Sequence, residues 1–137
     1  MIIKRSPLDL AEFVLIDQQY KFIEAEGDVP DRSLFDQYDI DIDFSINTPD
    51  HLHFQIMVKI EVNPEQKLPG YFLASTGVGF FDFSRTPDIS EQEKRDFLQM
   101  SGISICINQL RGVIAALTAN APYGRYLLPS KIGRAHV

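Results

Sequence analysis

The chain has 137 residues, a single cysteine, no tryptophan, and a formal net charge of -6 with a pI near 4.9. That length suits one domain with a core large enough to need no disulfide or metal staple, and the lone Cys106 excludes a disulfide framework or a thiolate metal site within one chain. The acidic balance excludes a general nucleic-acid binder, whose affinity rests on neutralising phosphates.

Residues Met1 to Leu10 carry Lys4 and Arg5 but no apolar run long enough for a signal segment. No uncharged apolar stretch approaches the ~18 residues of a membrane span. A cytoplasmic protein without membrane insertion is expected. Phe13 to Ile23 passes from an apolar run into aromatic alternation and predicts a first strand. Gly27, Asp28, Pro30 and Asp31 then mark a turn. From Tyr38 to Ile46 the alternation is unbroken, with Tyr38, Ile40, Ile42, Phe44 and Ile46 on one face and Asp39, Asp41, Asp43 and Ser45 on the other. After the turn at Asn47 to Asp50, residues Leu52 to Val62 alternate again, so the two strands should pair as an antiparallel hairpin. Tyr71 to Phe83 is apolar on both faces and interrupted by Gly77 and Gly79. Glycine inside a strand points to a bend, a bulge or the close approach of another backbone. Ser90 and Glu93 have the spacing of a capping box for a short helix to about Met100, and Ser101 with Gly102 is read as a hinge.

The strongest helical period runs from Ile103 to Ala119, a rod of roughly 25 Å. Ile103, Cys106, Ile107, Leu110, Val113, Ile114 and Leu117 form one apolar stripe. The opposite side is small and uncharged: Ser104, Asn108, Gly112, Ala115 and Ala119. Small side chains allow a second helix to approach closely, so this helix is expected to be covered by its own sheet on one side and by a partner subunit on the other. The residues assigned to that interface are Asn108, Arg111, Gly112, Ala115 and Ala119. Pro122 stops the helix, and Tyr123 to Pro129 continues as an extended apolar segment. The fold class expected is α+β, a four-stranded antiparallel sheet followed by a short helix and a long helix packed on one face. Residues 1–130 are taken as one domain. The last seven residues, KIGRAHV, read as the translation of a sequencing adapter, so the native chain is expected to continue past Ser130.

Chemistry is scarce along this chain. His51 and His53 share a strand face, but zinc requires three or four ligands and no second cluster has ligand spacing. The row Asp39, Asp41 and Asp43 lacks the glycine and glutamate of a calcium loop. It reads either as a solvated face that discourages edge aggregation or as an acidic docking surface. Gly77 and Gly79 lack the lysine and spacing of a phosphate loop. Neither an enzyme nor a cofactor is expected. Ten Phe and five Tyr exceed what one helix covers, and the excess is available to line an open groove.

The order of elements, ending in RGVIAALTANAPYGRYLLP from Arg111 to Pro129, resembles the SecB-type export chaperones and the shorter SecB-like proteins. The resemblance covers nearly all of Phe13 to Ser130. It implies a homotetramer built as a dimer of dimers, with sheets joined into larger sheets and the long helices meeting centrally. It further implies a holdase that keeps unfolded or secretory polypeptides in long apolar grooves and delivers them to the SecA ATPase on an acidic sheet surface. Carried over by position, Ile40, Ile42 and Phe44 would belong to the client groove. Asp39, Asp41 and Asp43 would belong to the acidic face, and Phe22, Ile23, Glu24, Ala25 and Glu26 approximate the family's acidic phenylalanine-glutamate motif. The family's final helix has no counterpart up to Ser130. SecB-like proteins that serve toxin-antitoxin systems as dedicated antitoxin chaperones form the alternative reading, and a small-molecule-binding domain with a closed polar pocket forms a third.

Overall fold

The computed structural model describes residues 1–27 and 31–130. Asp28 and Pro30 of the predicted turn and the tail 131–137 lie outside the described residues. Four strands, β1 (Asp9–Ile23), β2 (Ile40–Asn47), β3 (His53–Val62) and β4 (Gly70–Asp82), form one antiparallel sheet in the order β1-β4-β3-β2. Helix α1 (Glu91–Phe97) leads through a π-helical turn (Leu98–Gly102) into α2 (Ile103–Thr118).

The hairpin forms as its alternation predicts, with Ile40 opposite Val62 and Asn47 opposite Gln55. Phe54, Ile56, Val58, Ile60 and Val62 are buried under the helix, while His53, Met57 and Lys59 on the other face are exposed. Strand β4, paired on both edges, is apolar and almost wholly buried on both faces. Of the bend, bulge or approaching backbone expected at its two glycines, an irregularity is found opposite Gly77, on the β1 side, where the register shifts between Leu15 and Asp17, and both glycines make room for side chains. A Cβ on Gly77 would stand 2.3 Å from the Phe13 ring, and one on Gly79 2.6 Å from Cys106 Sγ. The register shifts occur between β1 and β4, around Ala11 and Ile16. They explain why β1 begins at Asp9, four residues before its prediction: each irregularity breaks the alternation by which a strand is recognised. Tyr38 is not the first residue of β2. It caps a 3-10 helix, Arg32–Gln37, and its hydroxyl donates to the Pro69 carbonyl at 2.8 Å.

Ser90 caps α1 as predicted, its Oγ accepting from the Glu93 amide at 3.1 Å. The expected hinge at Ser101 and Gly102 is absent. Gly102 is αR at φ -61° and ψ -47°, and Glu91–Thr118 is one continuous rod of 28 residues. The π turn adds a residue to the rod and so changes the phase of its buried stripe. By length and composition that rod is apolar enough to cross a membrane; in this fold its stripe packs on β3 and β4. The stripe is Ile103, Cys106, Ile107, Leu110, Ile114 and Thr118. Leu117, predicted to be part of it, is exposed, and Thr118 is buried in its place. The substitution has a polar cause, since Thr118 Oγ1 accepts from the Tyr126 amide at 2.8 Å and donates to the Ile114 carbonyl at 2.9 Å. Full burial of each large aliphatic side chain in this layer contributes about 1.5–3 kcal/mol.

Candidate functional site

Helix α2 is narrower than the sheet it covers, and this creates two open flanks. The β1 flank holds Leu15 and Tyr20, 42% and 40% exposed. The other flank faces β2, whose apolar side carries Ile40, Ile42, Phe44 and Ile46 opposite the buried Val62, Ile60, Val58 and Ile56.

A chain segment from the protein's own C-terminal region lies on that second side of α2. After α2 the backbone turns at Gly124, φ +83°, and returns as a strap. Tyr71 organises the turn, its hydroxyl donating to the Gly124 carbonyl and accepting from the Tyr123 amide, both at 2.8 Å. Tyr126 and Leu128 are each 2% exposed while Leu127 between them is 61% exposed, the alternation of an extended chain with one face buried. Tyr126 packs edge-on to Phe35 at 5.3 Å between ring centroids and beside Tyr38 at 5.9 Å. Burial holds the Tyr126 and Tyr38 hydroxyls above the ordinary phenol range, so neither is poised to ionise. Arg111 pins the end of the strap: its Nε donates to the Leu128 carbonyl at 3.0 Å, Nη2 to the Pro129 carbonyl at 2.8 Å, and Nη1 to Asn108 Oδ1.

The residues that the resemblance assigns to a client groove are buried unevenly along β2. Ile40 and Ile42 are half-buried and packed against the core, whereas Phe44 is 50% exposed. Ile46, outside the original set, continues the row. The strap was expected only as an extended tail; the alternation of Tyr126, Leu127 and Leu128 is the signal by which its buried face can be read.

The acidic residues do not form one patch. Asp39, Asp41 and Asp43 are exposed on the β2 edge, with Asp41 opposite Glu61 and Asp43 opposite Lys59. Lys59 in turn lies 3.6 Å from Glu61. Glu24 and Glu26 follow β1 at the far edge, beside a depression of about 490 Å3 that Gln66 and Lys67 also line. Three strand spacings, about 14 Å, separate the two edges. Of the interface set, Asn108, Gly112 and Ala119 are exposed and Ala115 is partly so, while Arg111 is engaged within the chain.

His51 and His53 are exposed at the turn, and His53 Nδ1 lies 2.9 Å from Asp50 Oδ2. Among the described residues no three His, Cys, Asp or Glu side chains come together as a metal site. Burial raises the Cys106 thiol to about 11, which keeps it protonated and unreactive.

No protein-family model matches the sequence, and a comparison with curated proteins finds no match. The fold matches a Mycobacterium tuberculosis SecB-like chaperone, solved in complex with a ChAD peptide from the HigA1 antitoxin. The TM-score is 0.61 over 89% of this chain and 86% of that one, at 13% identity. A Streptococcus agalactiae protein of unknown function aligns over 89% of this chain and 96% of that one, with a TM-score of 0.46 and 8% identity. The α+β fold is therefore SecB-like.

Proposed function

We propose that the protein is a holdase chaperone that binds extended apolar polypeptide segments along α2 and the β2 edge, with no nucleotide and no chemical step. The observation that carries this reading is the strap. The molecule already holds one extended segment against α2, with alternate side chains buried and two carbonyls caught by Arg111. The apolar row of β2 carries a half-exposed Phe44. An extended client there gains main-chain hydrogen bonds from the free β2 edge and about 25 cal/mol per Å2 of apolar burial, which gives affinity with little sequence preference. The test follows aggregation of a chemically unfolded client. Stoichiometric protein should delay it and Phe44→Asp should abolish most of the delay; no delay from the unaltered protein would sink the reading.

Two client classes remain within it. Delivery of preproteins to the Sec translocase from the cytoplasm would use SecA docking on Asp39, Asp41 and Asp43, or on Glu24 and Glu26, in a tetrameric assembly. Dedication to an antitoxin is favoured by one specific observation, the antitoxin peptide in the Mycobacterium tuberculosis neighbour. Competition between an antitoxin C-terminal peptide and a generic unfolded chain separates the two, since a dedicated chaperone prefers the first by a large factor.

A further inference from the structure

The strap is gripped by its main chain. Arg32 Nη2 donates to the Arg125 carbonyl at 2.8 Å, Thr118 Oγ1 accepts from the Tyr126 amide at 2.8 Å, and Arg111 Nε and Nη2 donate to the Leu128 and Pro129 carbonyls at 3.0 and 2.8 Å. These contacts do not depend on which side chains the strap carries, because every residue offers a carbonyl and every residue but proline an amide. Side-chain choice enters at two seats, those of Tyr126 and Leu128, each 2% exposed, while Arg125 and Leu127 are exposed. The first seat is lined by Phe35 and Tyr38, and its fit is imperfect. The Tyr126 hydroxyl is buried and has no hydrogen-bond partner among the described residues. The hydroxyl of Tyr38 is committed elsewhere, donating to the Pro69 carbonyl at 2.8 Å and accepting from the Tyr71 amide at 2.9 Å. A buried hydroxyl left unpaired disfavours its own seating by a factor on the order of ten. Phenylalanine presents the same ring without that cost.

We propose that this cleft is an exchangeable site for extended segments of the pattern aromatic-x-Leu, phenylalanine preferred, and that the strap is its resident occupant, which a client displaces. The proposal rests on the client-binding reading and narrows it. Main-chain capture gives affinity and the two alternate seats give selectivity, the division of labour by which extended peptides are generally recognised. Clients compete with residues 125–129, and Arg32 and Arg111 hold the client main chain once the strap has left. The anchor of the turn, the Tyr71 hydroxyl on the Gly124 carbonyl and the Tyr123 amide, lies upstream of the clamped residues, so the strap swings out from Gly124 while the turn stays in place. Only the open fraction of the cleft accepts a client. Anything that seats the strap more firmly therefore lowers apparent client affinity by the same factor.

The test begins with a substitution that tightens the strap and leaves the fold intact. Tyr126→Phe removes only the unpaired hydroxyl, so it should raise the melting temperature and lower the affinity of the full chain for a fluorescent hexapeptide, GRFLLP, about tenfold. The unaltered chain should bind GRYLLP about tenfold more weakly than GRFLLP. Tyr126→Ser with Leu128→Ser unseats the strap and should bind GRFLLP at least about tenfold more tightly than the unaltered chain does; adding Arg111→Met should remove that gain. A raised melting temperature with unchanged peptide affinity in Tyr126→Phe would show that the strap does not compete. A melting temperature that does not rise would show that the hydroxyl is paired. Either result overturns the proposal, whether or not the double variant folds. The two readings fail separately. If the unaltered chain delays client aggregation but no chain binds GRFLLP, clients bind elsewhere and the exchange is wrong. If the peptide exchanges with the strap but aggregation is not delayed, the cleft stands and the holdase reading falls.

Discussion

Asp50 shows how much one exposed side chain determines in this sheet. Its Oδ1 accepts from the Leu52 and His53 amides at 2.8 and 2.9 Å, and His53 Nδ1 lies 2.9 Å from Oδ2. These donors, the Leu52 amide foremost, lower its carboxyl to about 2. The folded-state value lies below that of an unfolded aspartate, about 3.9. Ionised Asp50 therefore stabilises the β2–β3 turn fully above about pH 4, and the contribution is lost as pH falls toward 2. Asp50→Ala should lower the melting temperature modestly at pH 7, with the gap to the unaltered protein closing between pH 4 and 2. An NMR titration that places this carboxyl at the ordinary aspartate value would remove the turn from the account. The turn matters for function because it fixes the register that puts Ile42, Phe44 and Ile46 on the helix side of β2 and the aspartates on the other. A slip of one residue would exchange them.

Among the elements, the strap depends on Arg111 in a way no local pattern announces. The only charge in an apolar helix reads from the sequence as a surface or interface residue, and the structure turns it inward along the molecule to two carbonyls 17 and 18 positions away. Hydrogen bonds to charged donors contribute about 1.5–3 kcal/mol each. Arg111→Met should therefore open the strap more often and speed tryptic cleavage after Arg125 on the order of tenfold; an unchanged cleavage rate would show that Tyr126 and Leu128 hold the strap unaided. The same contrast marks what was legible in advance. The hairpin, the capping box at Ser90 and the long helix each follow from a period or a cap within a few residues. The extension of β1 through its register shifts, the π turn at Leu98–Gly102, the exchange of Leu117 for Thr118 and the docking of the strap depend on partners distant in sequence. The candidate site was half legible: the alternation of β2 marks its apolar row in the sequence, but only the packing leaves Phe44 half-exposed while Ile40, Ile42 and Ile46 are partly buried.

For the whole molecule, the decisive residue is Gly112. A glycine in a helix interior costs about 1 kcal/mol relative to alanine, and among the described residues nothing requires it. Its φ is not in the left-handed region, and a Cβ there would meet no atom within 4 Å. Asn108 and Ala119 on the same side are exposed, and Ala115 is partly so. A stripe of small side chains leaves room for a second helix to approach closely, and the proposal that subunits meet here can be tested directly. Two substitutions then have opposed signs in isolated chain and assembly. Gly112→Ala should stabilise the helix of a monomer by up to about 1 kcal/mol and weaken association, whereas Ala115→Glu should place a charge in the contact, dissociate the oligomer, and leave the circular dichroism unchanged. Sedimentation velocity reads both. A mass unaffected by Ala115→Glu would move the interface off this face, and the exposed Leu15, Ile16 and Tyr20 of the β1 edge would then be the surface to substitute.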